Sequence, residues 1–163
     1  MCGVCLNLDF WVDIATIAAP LIALGGLGLI WWQLRDNAKQ SRLQRSYEFA
    51  GKYHSPEYLR HMIDASSFMK SSDGIDKKWE DFNNDKTIRN SVGIFLSFFE
   101  EIGAMYNMGL VDKGVIEKLL KPPTIAYFEL SKPFIDKMRE GREDKDPPIH
   151  DQWETMYNDL NET

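Results

Sequence analysis

The stretch IATIAAPLIALGGLGLIWW, residues 14–32, runs for nineteen residues without a charged side chain. An α-helix rises about 1.5 Å per residue, so this length spans roughly 28 Å, close to the hydrocarbon thickness of a bilayer. The run predicts one transmembrane helix. Trp11 before it and Trp31 and Trp32 at its end supply amphipathic rings at the two depths where headgroups would lie.

Charge predicts the orientation. All nineteen Lys and Arg residues follow the run, and Arg35, Lys39, Arg42 and Arg45 stand close behind it, where the positive-inside bias acts. These four are read as topology determinants. Ahead of the run the only charged side chains are Asp9 and Asp13. The N-terminus is therefore expected outside and the C-terminal domain inside. A cleaved secretory signal would reverse this order, with basic residues first and small residues at the end of a shorter apolar core. A core helix of a soluble domain can be apolar all round, but it has no reason to carry the charge asymmetry.

About 130 residues follow the span, enough for one modest core and too few for two. The chain carries a net charge of −6, and the part after Asp13 still has 23 acidic against 19 basic residues. Nucleic-acid binding calls for a basic face, so it is not expected. The expected organisation is a short extracytoplasmic tail (1–13), a transmembrane helix (14–32), a basic juxtamembrane helix (33–54), a helical domain (55–142), and a charged linker with a C-terminal amphipathic helix (143–163).

Nothing alternates with period two over a useful length, so the fold class is all-α: an N-terminal transmembrane helix continuing into a small cytoplasmic helical bundle. Leu34, Ala38, Leu43, Tyr47 and Ala50 continue at helical spacing with no Gly or Pro before Gly51. Ser55-Pro56-Glu57 combines a capping hydroxyl, a first-turn proline and a first-turn acid, and predicts a helix to about Met69. Residues 71–85 read as a loop with one helical turn. From Asp85 to Met108, Ile88, Val92, Phe95, Phe98, Phe99, Ile102, Met105 and Tyr106 share one broad face, the expected centre of the core. Gly103 borders that face and would admit a close neighbour, and Gly109 stands where a left-handed C′ residue is wanted. Asp112 predicts a cap for a short helix to Leu120. Pro122-Pro123 predicts its end, Thr124 a new cap, and Pro133 another restart. Trp153, Met156, Tyr157 and Leu160 mark one side of a last helix.

The anchor and its basic continuation, together with Leu96-x-x-Phe99-Glu100, Gly109-x-x-Asp112 and Phe134-Ile135 with Arg139, resemble the bacterial family catalogued as domain of unknown function 4760. The resemblance covers about residues 11–142, with Ser97 at a position where it calls for asparagine. It implies a small membrane-anchored helical protein of bacterial or phage origin, and it implies no known activity; the expected location is the bacterial inner membrane.

Candidate chemical groups are few. Glu100 and Glu101 flank the apolar stripe of the central helix, and Glu100 with Arg139 is the candidate buried polar pair, Arg89 being the alternative partner. Glu57 and His61 have the four-residue spacing of helical metal ligands, but His54 precedes the cap and His150 is distant in sequence. Cys2 and Cys5 form a C-x-x-C without the strand–helix context of a redox site. No nucleophile–base pair, metal set or phosphate loop can be assembled, so no enzyme activity, cofactor or metal is expected. Ala15, Ala19, Ala23 and Gly26 form a small-residue ridge along the span, which favours close packing of a second copy. The expected partners are the membrane, a homo-oligomer and a protein. The expected function is that of a membrane-anchored interaction or regulatory protein, with a phage-defence or superinfection-exclusion effector as the alternative.

Overall fold

Six α-helices are found in the computed structural model, which describes residues 8–140 and 150–162, with side chains from residue 23 onward. They are α1 (Leu8–Tyr53), α2 (Pro56–Lys70), α3 (Ile75–Asn84), α4 (Lys86–Asn107), α5 (Lys113–Arg139) and α6 (Asp151–Glu162), and no strand occurs among the described residues. The all-α expectation holds. The chain divides into two units, Met1–Gln40 and Ser41–Thr163.

Within the first unit, α1 is unbroken. Leu24, Leu27, Leu29, Ile30, Trp31, Trp32 and Leu34 are each more than half exposed. At 100° per residue they point to every side of the helix. Side chains added at Gly25, Gly26 or Gly28 would meet nothing within 4 Å. Among the described residues no helix is long and apolar enough to cross a membrane. Only residues 23–32 of the apolar run have described side chains, and ten residues rise about 15 Å, half a bilayer core. The rest of the run, 14–22, has side chains outside the described residues.

The second unit is built around α4. Val92, Phe95, Phe99 and Ile102 are fully buried there, with Leu96, Phe98 and Tyr106 nearly so. Asp85 starts α4 by accepting hydrogen bonds from the Thr87 and Ile88 amides at 2.7 and 3.2 Å. Gly109 ends it with φ 65°. The Gly109 amide donates to Tyr106 O and the Leu110 amide to Met105 O, the paired bonds of a Schellman motif. Ser55 caps α2 as its sequence suggests, accepting from the Tyr58 amide at 3.3 Å.

The end of α1 belongs to this core. Phe49 packs edge-on to Phe98 at 6.1 Å between centroids. The fully buried Ser46 hydroxyl donates to Arg42 O at 2.9 Å and accepts from the Asp112 amide at 2.8 Å. One serine thus ties α1 to the start of α5.

Two local expectations are corrected. Residues 75–84 form helix α3 rather than a loop. Its three apolar residues fall on one face, and Trp79 and Phe82 surround the Phe134 ring at 5.7 and 5.1 Å. Tertiary burial stabilises a helix that its polar composition hides.

The second correction is α5, a single helix containing Pro122, Pro123 and Pro133 rather than three short ones. Ile116, Leu120, Thr124, Phe128, Ser131, Phe134 and Ile135 form one buried stripe; Pro122 and Pro133 are exposed, and Pro123 lies partly buried at its edge. The carbonyls that lose their donors belong to Lys118, Leu119 and Glu129, whose positions face water, so solvent can satisfy them. Thr124 caps nothing; it is fully buried, with no hydrogen-bond partner for its hydroxyl among the described residues.

Candidate functional site at the docked C-terminal helix

The densest polar construction in the second unit lies where α6 meets α4 and α5. Trp153, Met156 and Leu160 recur at helical spacing and are fully buried. Trp153 stacks on Phe99 at 4.4 Å and 12°, with the edges of Phe95 and Phe128 against it at 6.1 and 5.3 Å. Phe128 also stacks on Tyr157 at 4.4 Å.

Gly103 lets the two backbones meet. A Cβ there would lie 2.6 Å from Gln152 O and 2.8 Å from Trp153 N, so no larger residue fits without moving α6. The neighbour that the glycine admits is the first turn of α6.

That turn is capped from another helix. Glu100 on α4 accepts hydrogen bonds from the Gln152 and Trp153 amides at 3.3 and 3.0 Å. A carboxylate at a helix N-terminus satisfies otherwise orphaned donors and faces the positive end of the macrodipole. Glu100 and Arg139 do not pair with each other. Arg139 on α5 binds Glu154 at 2.8 Å, and both lie about 30 % exposed. Arg89 donates instead to Asn83 O at 2.9 Å. Glu101, on the other flank, forms an exposed pair with Lys52 at 2.9 Å.

Further along α6, Asp159 accepts from Tyr106 Oη at 2.6 Å and from Lys113 Nζ at 2.9 Å. These two hydrogen bonds hold its carboxyl below the usual carboxylate range. Burial and the bond to Asp159 raise the Tyr106 phenol. Burial also raises Tyr58, and it pushes Tyr53 to about 12 with help from Tyr127. These phenols are neutral at physiological pH and act as donors rather than bases.

His150, just ahead of α6, has φ 57°, the left-handed region that costs a residue with a Cβ about 1–3 kcal/mol. Its ring is 12 % exposed and Nδ1 lies 3.9 Å from Glu100 Oε2. That nitrogen and the Trp153 indole N–H have no hydrogen-bond partner among the described residues. Burial and the nearby Arg139 lower the His150 pKa to about 4. The nearby carboxylate of Glu100 pulls the other way but is engaged by the α6 amides, so the ring stays neutral.

The remaining candidates are not drawn together. Arg35, Lys39, Arg42 and Arg45 are all exposed along α1. In the small-residue ridge, Ala23 is exposed and Gly26 partly so, whereas the side chains of Ala15 and Ala19 lie outside the described residues, as do Cys2 and Cys5. His54 and Glu57 are exposed, and His61 Nδ1 is 3.1 Å from Ser91 Oγ. Among the described residues no group of three or more His, Cys, Asp or Glu could hold a metal ion. Sequence reasoning placed Glu100 on a flank of the stripe and Gly103 beside it; it missed that both serve α6. The signal was present in the residues 49–53 positions further on, which no local pattern connects.

The arrangement holds a helix by its N-terminus and by one tryptophan. No curated protein and no solved structure matches the chain. The family model described as Domain of unknown function (DUF4760) matches residues 20–160. This match runs past residue 142, where the sequence resemblance ends, and takes in α6 almost completely. The chain belongs to the DUF4760 family.

Proposed function

We propose that this protein is a membrane-anchored helical interaction protein, with residues 14–32 in a bacterial inner membrane, the N-terminus outside and the helical domain in the cytoplasm. The observation that carries the reading is the ring of apolar side chains on α1. Leu24, Leu27, Leu29, Ile30, Trp31 and Trp32 are exposed in all directions, which water disfavours and lipid accepts. The positive charges that all follow the run supply the orientation. The small residues among Ala15, Ala19, Ala23 and Gly26 leave room for a second span, so a homo-oligomer belongs to the same reading. The domain works by binding rather than by catalysis: its polar groups cap helices and pair on the surface, and its phenols are held neutral. No side-chain cluster favours a phage-defence role over this one.

Alkaline extraction of bacterial membranes tests the anchor. The full chain stays in the pellet, whereas Leu24→Lys with Leu27→Lys and Ile30→Lys, which places three charges at membrane depth, moves it to the supernatant. Extraction of the unaltered chain by alkali overturns the reading.

A further inference from the structure

We infer that the exposed side of α4 binds a phosphate monoester, carried on a small molecule or on a lipid headgroup, with the phosphate between Lys86, Arg89 and Asn90. This face takes no part in the anchor reading, and the inference stands apart from it.

Lys86, Arg89, Asn90, Gly93, Ile94 and Ser97 line a surface cavity of about 450 Å³, a size at which small-molecule sites occur. They recur at three- and four-residue spacing, so one helix supplies the whole lining. Among the described residues no carboxylate lines the cavity, although the chain carries a net charge of −6. The nearest acids along α4 are engaged elsewhere. Asp85 accepts from the Thr87 and Ile88 amides, and Glu101, one turn beyond Ser97, pairs with Lys52. The donors, by contrast, are left open. The Lys86 and Asn90 side chains make no hydrogen bond or ion pair with the described residues. Arg89 gives one N–H to Asn83 O and keeps the rest of its guanidinium donors.

Charge and donor count select the ligand. A phosphate monoester carries about −1.5 to −2 at pH 7 and three strong acceptor oxygens, which match two cations and one carboxamide. A carboxylate brings one charge and two oxygens, and leaves a cation unmatched. The body of the ester then lies over Gly93, where a Cβ would meet nothing within 4 Å, beside the Ile94 side chain. Ser97 offers a hydroxyl about 10 Å further along the helix than Asn90.

Isothermal titration calorimetry of the full chain in uncharged detergent tests the site. Phenyl phosphate is the soluble probe, and phosphatidic acid mixed into the micelles is the lipid probe. Gly93→Glu puts a carboxylate into the cavity at a position with open space, and Lys86→Ala removes a cation that pairs with none of the described residues. Asn158→Glu, at an exposed position of α6, lowers the net charge by the same one unit and is the control. Saturable binding of either probe should weaken about tenfold in both cavity variants and stay unchanged in the control. The probe that binds more tightly then identifies the source, free ester or headgroup. If Gly93→Glu fails to fold, Lys86→Ala alone decides. The inference is overturned if neither probe binds, if binding survives both cavity variants, if Asn158→Glu weakens it equally, or if benzoate binds as tightly as phenyl phosphate.

Discussion

Gly103→Ala should destabilise the protein, although the same change usually strengthens a helix. Glycine inside a helix costs about 0.8–1.0 kcal/mol relative to alanine, so in an open position the substitution is a gain. Here the new methyl would sit 2.6, 2.7 and 2.8 Å from Gln152 O, Gln152 C and Trp153 N, all of them backbone atoms. No rotamer change relieves that, and α6 must shift. Overpacking costs about 1–3 kcal/mol, and three backbone atoms inside 3.0 Å place this case in the upper part, about 2–3 kcal/mol. Complete release of α6 would cost more, since Trp153, Met156 and Leu160 each contribute roughly 1.5–3 kcal/mol by burial. The helix therefore stays docked and displaced, and the net loss is about 1–2 kcal/mol once the propensity gain is subtracted. For a domain of this size that lowers Tm by roughly 3–8 °C in calorimetry of the solubilised full chain. Gly93→Ala in the same helix is the control, because a Cβ there meets nothing within 4 Å, and it should raise Tm. A Gly103→Ala protein that melts at or above the wild-type temperature refutes the close approach of α6.

Three further outcomes follow from the same geometry. Phe99→Ala removes a fully buried ring and the stack beneath Trp153, and should cost about 3–5 kcal/mol, read as the shift in the denaturant midpoint; an unchanged midpoint would mean that α4 presents a different face. The folded His150 pKa, about 4, lies below the ordinary value of 6.5, so the neutral ring contributes stability that is present above pH 6.5 and lost as the pH falls toward 4. Glu100 on α4 and Arg139 on α5 face that ring, and the stability difference between wild type and His150→Asn should shrink by about 2–3 kcal/mol across this window; a difference independent of pH counts against it. Ala19→Leu with Ala23→Leu should weaken self-association in an inner-membrane proximity assay while Leu24→Ile does not, and equal signals would remove the ridge from the account.

The elements that the sequence revealed are those whose causes are local. The α2 cap at Ser55, the α4 stripe, the Asp85 and Asp112 starts and the left-handed Gly109 each depend on residues within a few positions of one another. What escaped depends on contacts distant in sequence. Helix α3 is polar except for a face that has meaning only against Phe134, more than fifty residues later. The prolines of α5 are tolerated because the residues whose carbonyls they leave without donors face water, which is known only once the buried stripe is assembled. Glu100 and Arg139 were both legible as part-buried charges, but opposite-charge logic pairs them directly. In the fold each finds α6 instead, Glu100 through backbone amides that no side-chain pattern advertises.

The central claim is a chain that crosses the membrane once with its N-terminus out. Cysteine labelling in intact bacteria with a permeable outer membrane tests it most directly, since Cys2 and Cys5 precede the apolar run and no other cysteine occurs. After mild reduction, a membrane-impermeant maleimide should label the native cysteines before lysis. In a chain with Cys2→Ser, Cys5→Ser and Ser72→Cys, whose only thiol is then at an exposed position of the helical domain, labelling should appear only after lysis. Labelling at residue 72 in intact cells, or native cysteines that stay unlabelled until lysis, would contradict the account.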